Sequence, residues 1–301
     1  MSTRNGGLVQ LTEQPKALEI YARAALGALP VVGKSGIGRS LPKQTLALEG
    51  LRVDPDNLAA YARVCGLRFG DTLPITYPFT LVFPTVMKLM VSAEFPFPAI
   101  GSVHTDNVIE QLRPISVSEP LDLKVRAENL RRHPKGTQVD LVSEVSVGRE
   151  LVWRQVSSFL KMHPTGEPKE PKQVHADEVP PPPMRTLRVD QSTISRYAAV
   201  SGDRNPIHVS SLGAKAFGFP RTIAHGMWSA AAVLGAVEGR IPDKVTYSIK
   251  FGKPIVLPAT VNLYADQVPG PAEGAESTGT GWDLALRHPK KGYPHLTATL
   301  R

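Results

Sequence analysis

The sequence predicts an α+β protein made of two diverged copies of one unit, each with helical segments followed by a run of strands. Three observations carry that expectation. Leu51-Arg52-Val53-Asp54 returns 136 residues later as Leu187-Arg188-Val189-Asp190, and at the same offset Tyr61, Ala62, Val64 and Gly66 return as Tyr197, Ala198, Val200 and Gly202. Late in each half the chain alternates apolar and polar residues over strand-length runs. Between His163 and Pro183 it reads HPTGEPKEPKQVHADEVPPPP, a proline-rich, charged stretch without apolar periodicity that suits an extended linker. A chain of 301 residues also fits two domains better than one. The expected division is an N-terminal extension over 1–40, a first copy over 41–163, a linker over 164–183 and a second copy over 184–301.

Taken in order, Ala17 to Leu29 (ALEIYARAALGAL) has helical composition, and the residues before it are polar. The first copy then carries FGDTLPITYPFTLVFPTVMKLMV, rich in Phe, Leu, Val and Met, which core packing explains most simply. Strands follow in LDLKVRAENL, TQVDLVSEVSV and LVWRQVSSFLKM, with a turn at Lys135-Gly136. In the second copy a short helix is expected over Val209 to Phe217, and a buried helix in MWSAAAVLGAVEG after Gly226. VTYSIKFGKPI, ATVNLYADQV, GWDLALRH and HLTATLR then echo the strands of the first copy. Arg113-Pro114-Ile115 resembles Lys253-Pro254-Ile255 at an offset of 140, as a small length change would produce. Pro269 to Gly281 reads as an exposed loop of small residues, and Trp282 resumes the sheet.

The chemistry concentrates between Tyr197 and His225, where Asp203, Asn205 and His208 sit beside Gly202 and Pro206. A carboxylate and an imidazole five residues apart suit proton transfer, with an amide to orient them, and no Ser or Cys nucleophile is required. Gly202 permits a turn that other residues resist, and Pro206 disfavours helical geometry at Asn205. A helix starting near Gly226 offers unpaired N–H groups and a positive dipole end to an enolate-like oxygen, and glycine allows close approach. Gly-Asp-x-Asn-Pro is equally ordinary turn chemistry, so spacing alone leaves a structural and a catalytic role open.

The run Tyr197-Ala-Ala-Val-Ser-Gly-Asp-Arg-Asn-Pro-Ile-His208, with Ala214 and Ala224-His225-Gly226-Met227 after it, closely resembles the hydratase-2 signature of MaoC-like (3R)-enoyl-thioester hydratases and dehydratases. The resemblance implies a double hotdog: two antiparallel sheets, each wrapping a central helix, forming a pseudo-dimer in one chain. It also implies action on thioesters of coenzyme A or acyl carrier protein without metal or redox cofactor, and Asp203 and His208 as the catalytic pair. At the 136-residue offset Asp203 corresponds to Leu67, Asn205 to Phe69 and His208 to Thr72, so the second copy alone is expected to be catalytic. The apolar run of the first copy would then combine core packing with lining of an acyl tunnel. The chain looks closer to actinobacterial 3-hydroxyacyl-thioester dehydratases of fatty-acid elongation than to eukaryotic hydratase-2 domains.

In the dehydration direction His208 is assigned as base toward the α-proton and Asp203 as acid or water-positioner, with an exchange of roles left open. Gly226 N–H would hold the thioester oxygen, and Asn205 would orient the loop or the substrate. Two other classes remain: a hotdog thioesterase, which would release free thiol, and a noncatalytic acyl-thioester-binding subunit, which would bind without turnover.

Composition adds weaker constraints. The formal charge of +8 comes without a nucleic-acid recognition motif, and a basic portal for a phosphate-bearing or acidic carrier explains it as well. Arg204, Arg221, Lys250 and Lys253 are the candidate carrier contacts. The single cysteine, Cys65, excludes an intrachain disulfide and reads as a small core residue. His104 either faces the cleft or caps a strand, His225 shapes the helix entrance, and the other histidines form no metal-ligand pattern, so no metal is expected. The start lacks an export pattern and no apolar run reaches membrane-spanning length, which predicts a soluble cytoplasmic protein. Two fused copies can complete a hotdog pair within one chain, while an exposed sheet edge or helix could still drive homodimerisation.

Overall fold

The computed structural model describes residues 7–16, 19–21, 38–166, 181–269 and 280–301. Of the expected helix over Ala17 to Leu29 only 19–21 are described, and these are helical; most of the linker and of the Pro269–Gly281 loop lies outside the described residues. The elements are β1 (Leu8–Gln10), β2 (Thr45–Leu51), α1 (Pro55–Cys65), α2 (Pro78–Met90), β3 (Ser102–Gln111), β4 (Leu121–His133), β5 (Gly136–Val147) and β6 (Glu150–Met162). They continue with β7 (Arg185–Val189), α3 (Gln191–Ser201), α4 (Pro206–Val209), α5 (Ser211–Ala216), α6 (Gly226–Leu234), β8 (Val245–Phe251), β9 (Ala259–Pro269), β10 (Thr280–Arg287) and β11 (Pro294–Leu300).

The sequence repeat is a repeat of local physics. In each copy the shared aspartate ends a strand and caps a helix: Asp54 Oδ1 accepts from Asp56 N–H, and Asp190 Oδ1 from Thr193 N–H at 2.8 Å. Such caps are worth about 1 kcal/mol each. The shared glycines close the same helices in the left-handed region, Gly66 at φ 71° and Gly202 at φ 73°, a conformation that costs a residue with a Cβ.

The strands join in the order β1-β2-β4-β5-β6-β3-β8-β11-β10-β9-β7. Apart from the parallel β1–β2 contact, every pairing is antiparallel. Read from the β3–β8 junction outward, both halves run through the same sequence of elements, so apart from β1, which the second half does not match, the order is palindromic about that junction. Val108 of β3 faces Ser248 of β8, and these two are related by the same 140-residue offset as Pro114 and Pro254. A pseudo-twofold axis therefore passes between them. Tyr61 and Tyr197, equivalent in the repeat, meet near the same axis with ring centroids 6.1 Å apart. The two expected hotdog sheets are thus fused edge to edge into one, which covers what would otherwise be two open strand edges.

The sheet wraps α2 and α6. Eleven of the thirteen residues of α2 and eight of the nine of α6 are buried. Tyr247 Oη donates to Ala230 O and Trp153 Nε1 to Ile75 O, tying helix and loop to the sheet. Trp228 Nε1 donates to Val64 O and Asn57 Nδ2 to Val200 O, so each copy binds the end of the other's first helix. Cys65 is a buried free thiol, as expected. Among the described residues no helix is long and apolar enough to cross a membrane.

Two elements differ from the sequence reading. The Val209–Phe217 helix is two short helices, because Ser210 leaves helical geometry at φ −138° and its Oγ accepts from Gly213 N–H to start α5. The central strand β3 was not legible, because its pairing with two neighbours buries polar residues. Asn107 is fully buried, donating to Ser157 Oγ and accepting from Gln155 Nε2.

Candidate active site

Where the two copies meet, a cavity of about 130 Å³ opens among Asp203, Asn205, His208 and Gly226 of the second copy and Phe79, Phe83, His104 and Phe159 of the first. The turn at Gly202 ends α3 and delivers Asp203, whose Oδ1 accepts from Asn205 N–H at 3.1 Å. Asn205 caps α4 through its own Oδ1, with Pro206 at the first helical position, so its demonstrable contact is to the loop. One turn later, His208 is carried inward and is 7% exposed.

The hydrogen bonds of His208 settle its tautomer. Nδ1 lies 2.8 Å from Ile223 O, a carbonyl that can only accept, so Nδ1 carries the proton and Nε2 is left as a free base. Burial pushes its pKa below the usual 6.5, against the opposing pull of Asp203 and the Ile223 carbonyl. The ring is therefore neutral at pH 7.

His225 backs this pair. It holds the N-cap position of α6 without making a side-chain cap; instead Nε2–H donates to Asp203 O at 2.9 Å, and the ring stacks on His208 with centroids 3.8 Å apart. Burial, then proximity to His208, pushes its pKa down to about 3. Its 3.8 Å approach to Asp203 Oδ2 is therefore contact with a neutral ring, not an ion pair. Asp203, His208 and His225 bring potential ligand atoms within 4.8 Å of one another. One nitrogen of each ring is already a committed donor to a backbone carbonyl, an arrangement that serves proton transfer.

Gly226 opens α6, and as a first-turn N–H it has no intrahelical acceptor. A Cβ here would stand 3.0 Å from Phe251 Cε1, so the absence of a side chain answers to packing as well as to ligand approach. In the first copy, α2 opens with Pro78, which has no N–H to offer, and Leu67, Phe69 and Thr72 replace the polar trio.

The first copy supplies walls. His104 faces the cavity rather than capping a strand, stacked on Phe159 at 4.6 Å with Phe251 at 4.8 Å, and burial pushes its pKa down to about 3. Phe79 and Phe83 of α2 continue the apolar lining, with ring centroids 5.3 Å apart.

The four candidate cations separate. Lys253 lines the cavity mouth, its Nζ 4.1 Å above the Tyr293 ring. Arg221 lines the adjoining groove with His288, Lys290 and Tyr293. Arg204 is exposed on the catalytic loop. Lys250 is a correction: β8 turns Tyr247 and Ile249 inward, so alternation sends Lys250 to the opposite face, across from Asp106 of β3. Sequence reasoning also missed Tyr21, whose Oη reaches Asp203 Oδ1 at 3.2 Å across 182 residues of chain.

The family model for the MaoC-like domain matches residues 171–279, the stretch that carries Asp203, His208 and Gly226. The chain is 52% identical over 291 residues to 3-hydroxyacyl-thioester dehydratase X of Mycobacterium tuberculosis, covering 96% of this chain and 99% of that protein. The chain belongs to the MaoC-like dehydratase family. The crystal structure of that M. tuberculosis protein superimposes with a TM-score of 0.73 at 50% identity, over 86% of this chain and 99% of the other. A MaoC-like dehydratase from Phytophthora capsici shares the fold, with a TM-score of 0.63 at 19% identity over 85% of this chain and 93% of that one. As a MaoC-like dehydratase of the double-hotdog type, this chain keeps its polar residues in one copy and much of its apolar wall in the other.

Proposed function

We propose that the protein catalyses the reversible syn dehydration of (3R)-3-hydroxyacyl thioesters to trans-2-enoyl thioesters, in fatty-acid or long-chain lipid metabolism. The observation that carries this reading is the locked tautomer of His208, which leaves a neutral, unshared Nε2 in a cavity shared with Asp203 and the first N–H of α6. In dehydration Nε2 takes a proton from C2, and the electron pair moves toward the thioester oxygen, held by Gly226 N–H and the positive end of α6. Collapse of this enolate breaks the C3–O bond. The proton taken from C2 returns, on the same face, to the departing oxygen, which leaves as water, so His208 ends as it began. Asp203 aligns the C3 hydroxyl as a hydrogen-bond acceptor, and in hydration it holds the attacking water.

The acyl group extends toward Phe79 and Phe83, and the carrier arm leaves past Lys253. Lys253, Arg221 and Lys290 supply positive charge there for the phosphates of coenzyme A or the acidic surface of an acyl carrier protein. The name of the M. tuberculosis relative agrees with this chemistry. The test follows the loss of conjugated-thioester absorbance with trans-2-enoyl coenzyme A and trans-2-enoyl acyl carrier protein, resolving the stereochemistry of the product. Formation of (3R)-hydroxyacyl product, lost in Asp203→Asn and His208→Ala, is expected. Release of free thiol instead would establish the thioesterase, and activity retained in both variants would remove these residues from the mechanism.

A further inference from the structure

We infer that Tyr21 is a positioning residue for this reaction, a hydroxyl carried by the N-terminal segment of the chain that clamps the loop bearing Asp203. The inference rests on the dehydratase reading of Asp203. Tyr21 Oη accepts from Arg204 N–H at 2.7 Å, and it lies 3.2 Å from Asp203 Oδ1 and 3.3 Å from Gly202 O, both acceptors for its single proton. One oxygen atom thus holds three consecutive residues of the catalytic turn. With Asn205 N–H also on Oδ1, one carboxylate oxygen is saturated by the protein and Oδ2 is the one left to face substrate. Burial, reinforced by the charge of Asp203, raises the Tyr21 pKa well above its ordinary value, so the hydroxyl stays a donor throughout the working pH range.

The segment that delivers Tyr21 is itself tied down. β1 adds to the sheet edge beside β2, Leu11 N–H donates to Ala47 O, Gln14 Nε2 donates to Leu81 O on α2, and Ile20 is 5% exposed in the core. A strap laid over the degenerate first copy therefore ends on the active loop of the second. The hydroxyl does not line the cavity, so its influence passes through Asp203 and not through substrate.

The experiment replaces Tyr21 with Phe in the full-length chain, which keeps the ring and removes only the oxygen. Hydration of trans-2-enoyl coenzyme A is expected to lose about tenfold in kcat, the rate equivalent of one hydrogen bond. KM, and the affinity for a saturated acyl coenzyme A that cannot react, should stay within about twofold. The Arg204 amide, deprived of its acceptor, should exchange with deuterium faster than in the parent. Tyr264→Phe, which removes a phenolic oxygen that donates to Pro181 O away from the cavity, serves as control and should leave kcat unchanged. An unaltered kcat in Tyr21→Phe would overturn the inference, and so would a loss matched by equally weakened binding of the saturated thioester, because that is the behaviour of a distorted pocket. A parent protein inactive on every thioester would overturn the dehydratase reading instead, and the Arg204 exchange rate would then still decide whether Tyr21 clamps the loop.

Discussion

Acidification to about pH 5 should destabilise this protein through its buried histidines, before most of its carboxylates protonate. His104 and His225 are both held neutral in the fold, with pKa values pushed from 6.5 down to about 3 by burial. Unfolding returns each ring to its ordinary pKa, so between these values the unfolded chain binds more protons than the native one. Stability must then rise with pH across that window, being fully present above the unfolded pKa and lost progressively as pH falls toward about 3. Between about pH 7.5 and pH 5 each ring accounts for about 2 kcal/mol, or about 4 kcal/mol for the pair. His208 adds to this in the same direction. For a chain of this length the pair corresponds to a fall in Tm of roughly 6 °C, and to a large share of a net stability of about 5–15 kcal/mol. Urea denaturation at the two pH values, followed by tryptophan fluorescence and circular dichroism, measures the difference. In His104→Phe, which keeps the aromatic stack and removes the titration, the pH-dependent loss should shrink by about half. Equal stability at the two pH values would refute the reasoning, since it would mean that these imidazoles bind the same number of protons in both states.

His208→Ala should lower kcat by about 10³ with little change in secondary structure. Because burial lowers the His208 pKa, the acid limb of kcat/KM in the parent should fall below 6.5, and a limb above neutrality would contradict the neutral-base assignment. Gly226→Ala places a methyl group against the Phe251 ring and should cost about 1–2 kcal/mol in urea midpoint experiments as well as activity; Phe251→Leu in the same chain should recover stability. Lys253→Glu should raise KM for coenzyme A thioesters more than it changes kcat, with the difference shrinking as salt is added, which steady-state kinetics at two ionic strengths will show.

The repeat was legible because its shared residues do local work. Asp54 and Asp190 cap helices, Gly66 and Gly202 end them, and these requirements leave the same letters at the same spacing in both copies. The Asp203–His208 turn was legible for a similar reason, since glycine, asparagine and proline announce a turn wherever they occur together. Lys250 was misplaced because charge composition carries no information about which face of a strand a residue occupies until the register is known. His104 was left between two roles because its choice depends on Phe159 and Phe251, 55 and 147 residues away in the chain. Strand β3 escaped notice because Asn107, Gln155 and Ser157 satisfy one another inside the sheet, and a buried polar network reads as a surface segment when its partners are unknown.

By itself, then, the sequence determined the duplication, most of the strands that follow the buried helices and the turn that carries Asp203 and His208. All of these follow from interactions between residues close in the chain or from letters repeated at one offset. Only the tertiary structure decided that the two sheets fuse through β3 and β8, that His208 presents Nε2 to the cavity, that His225 stacks behind it, and that Tyr21 reaches Asp203 from the far end of the chain. Each of these depends on a hydrogen bond or ring contact between atoms that share no local pattern, and such contacts exist only once burial has brought distant segments together.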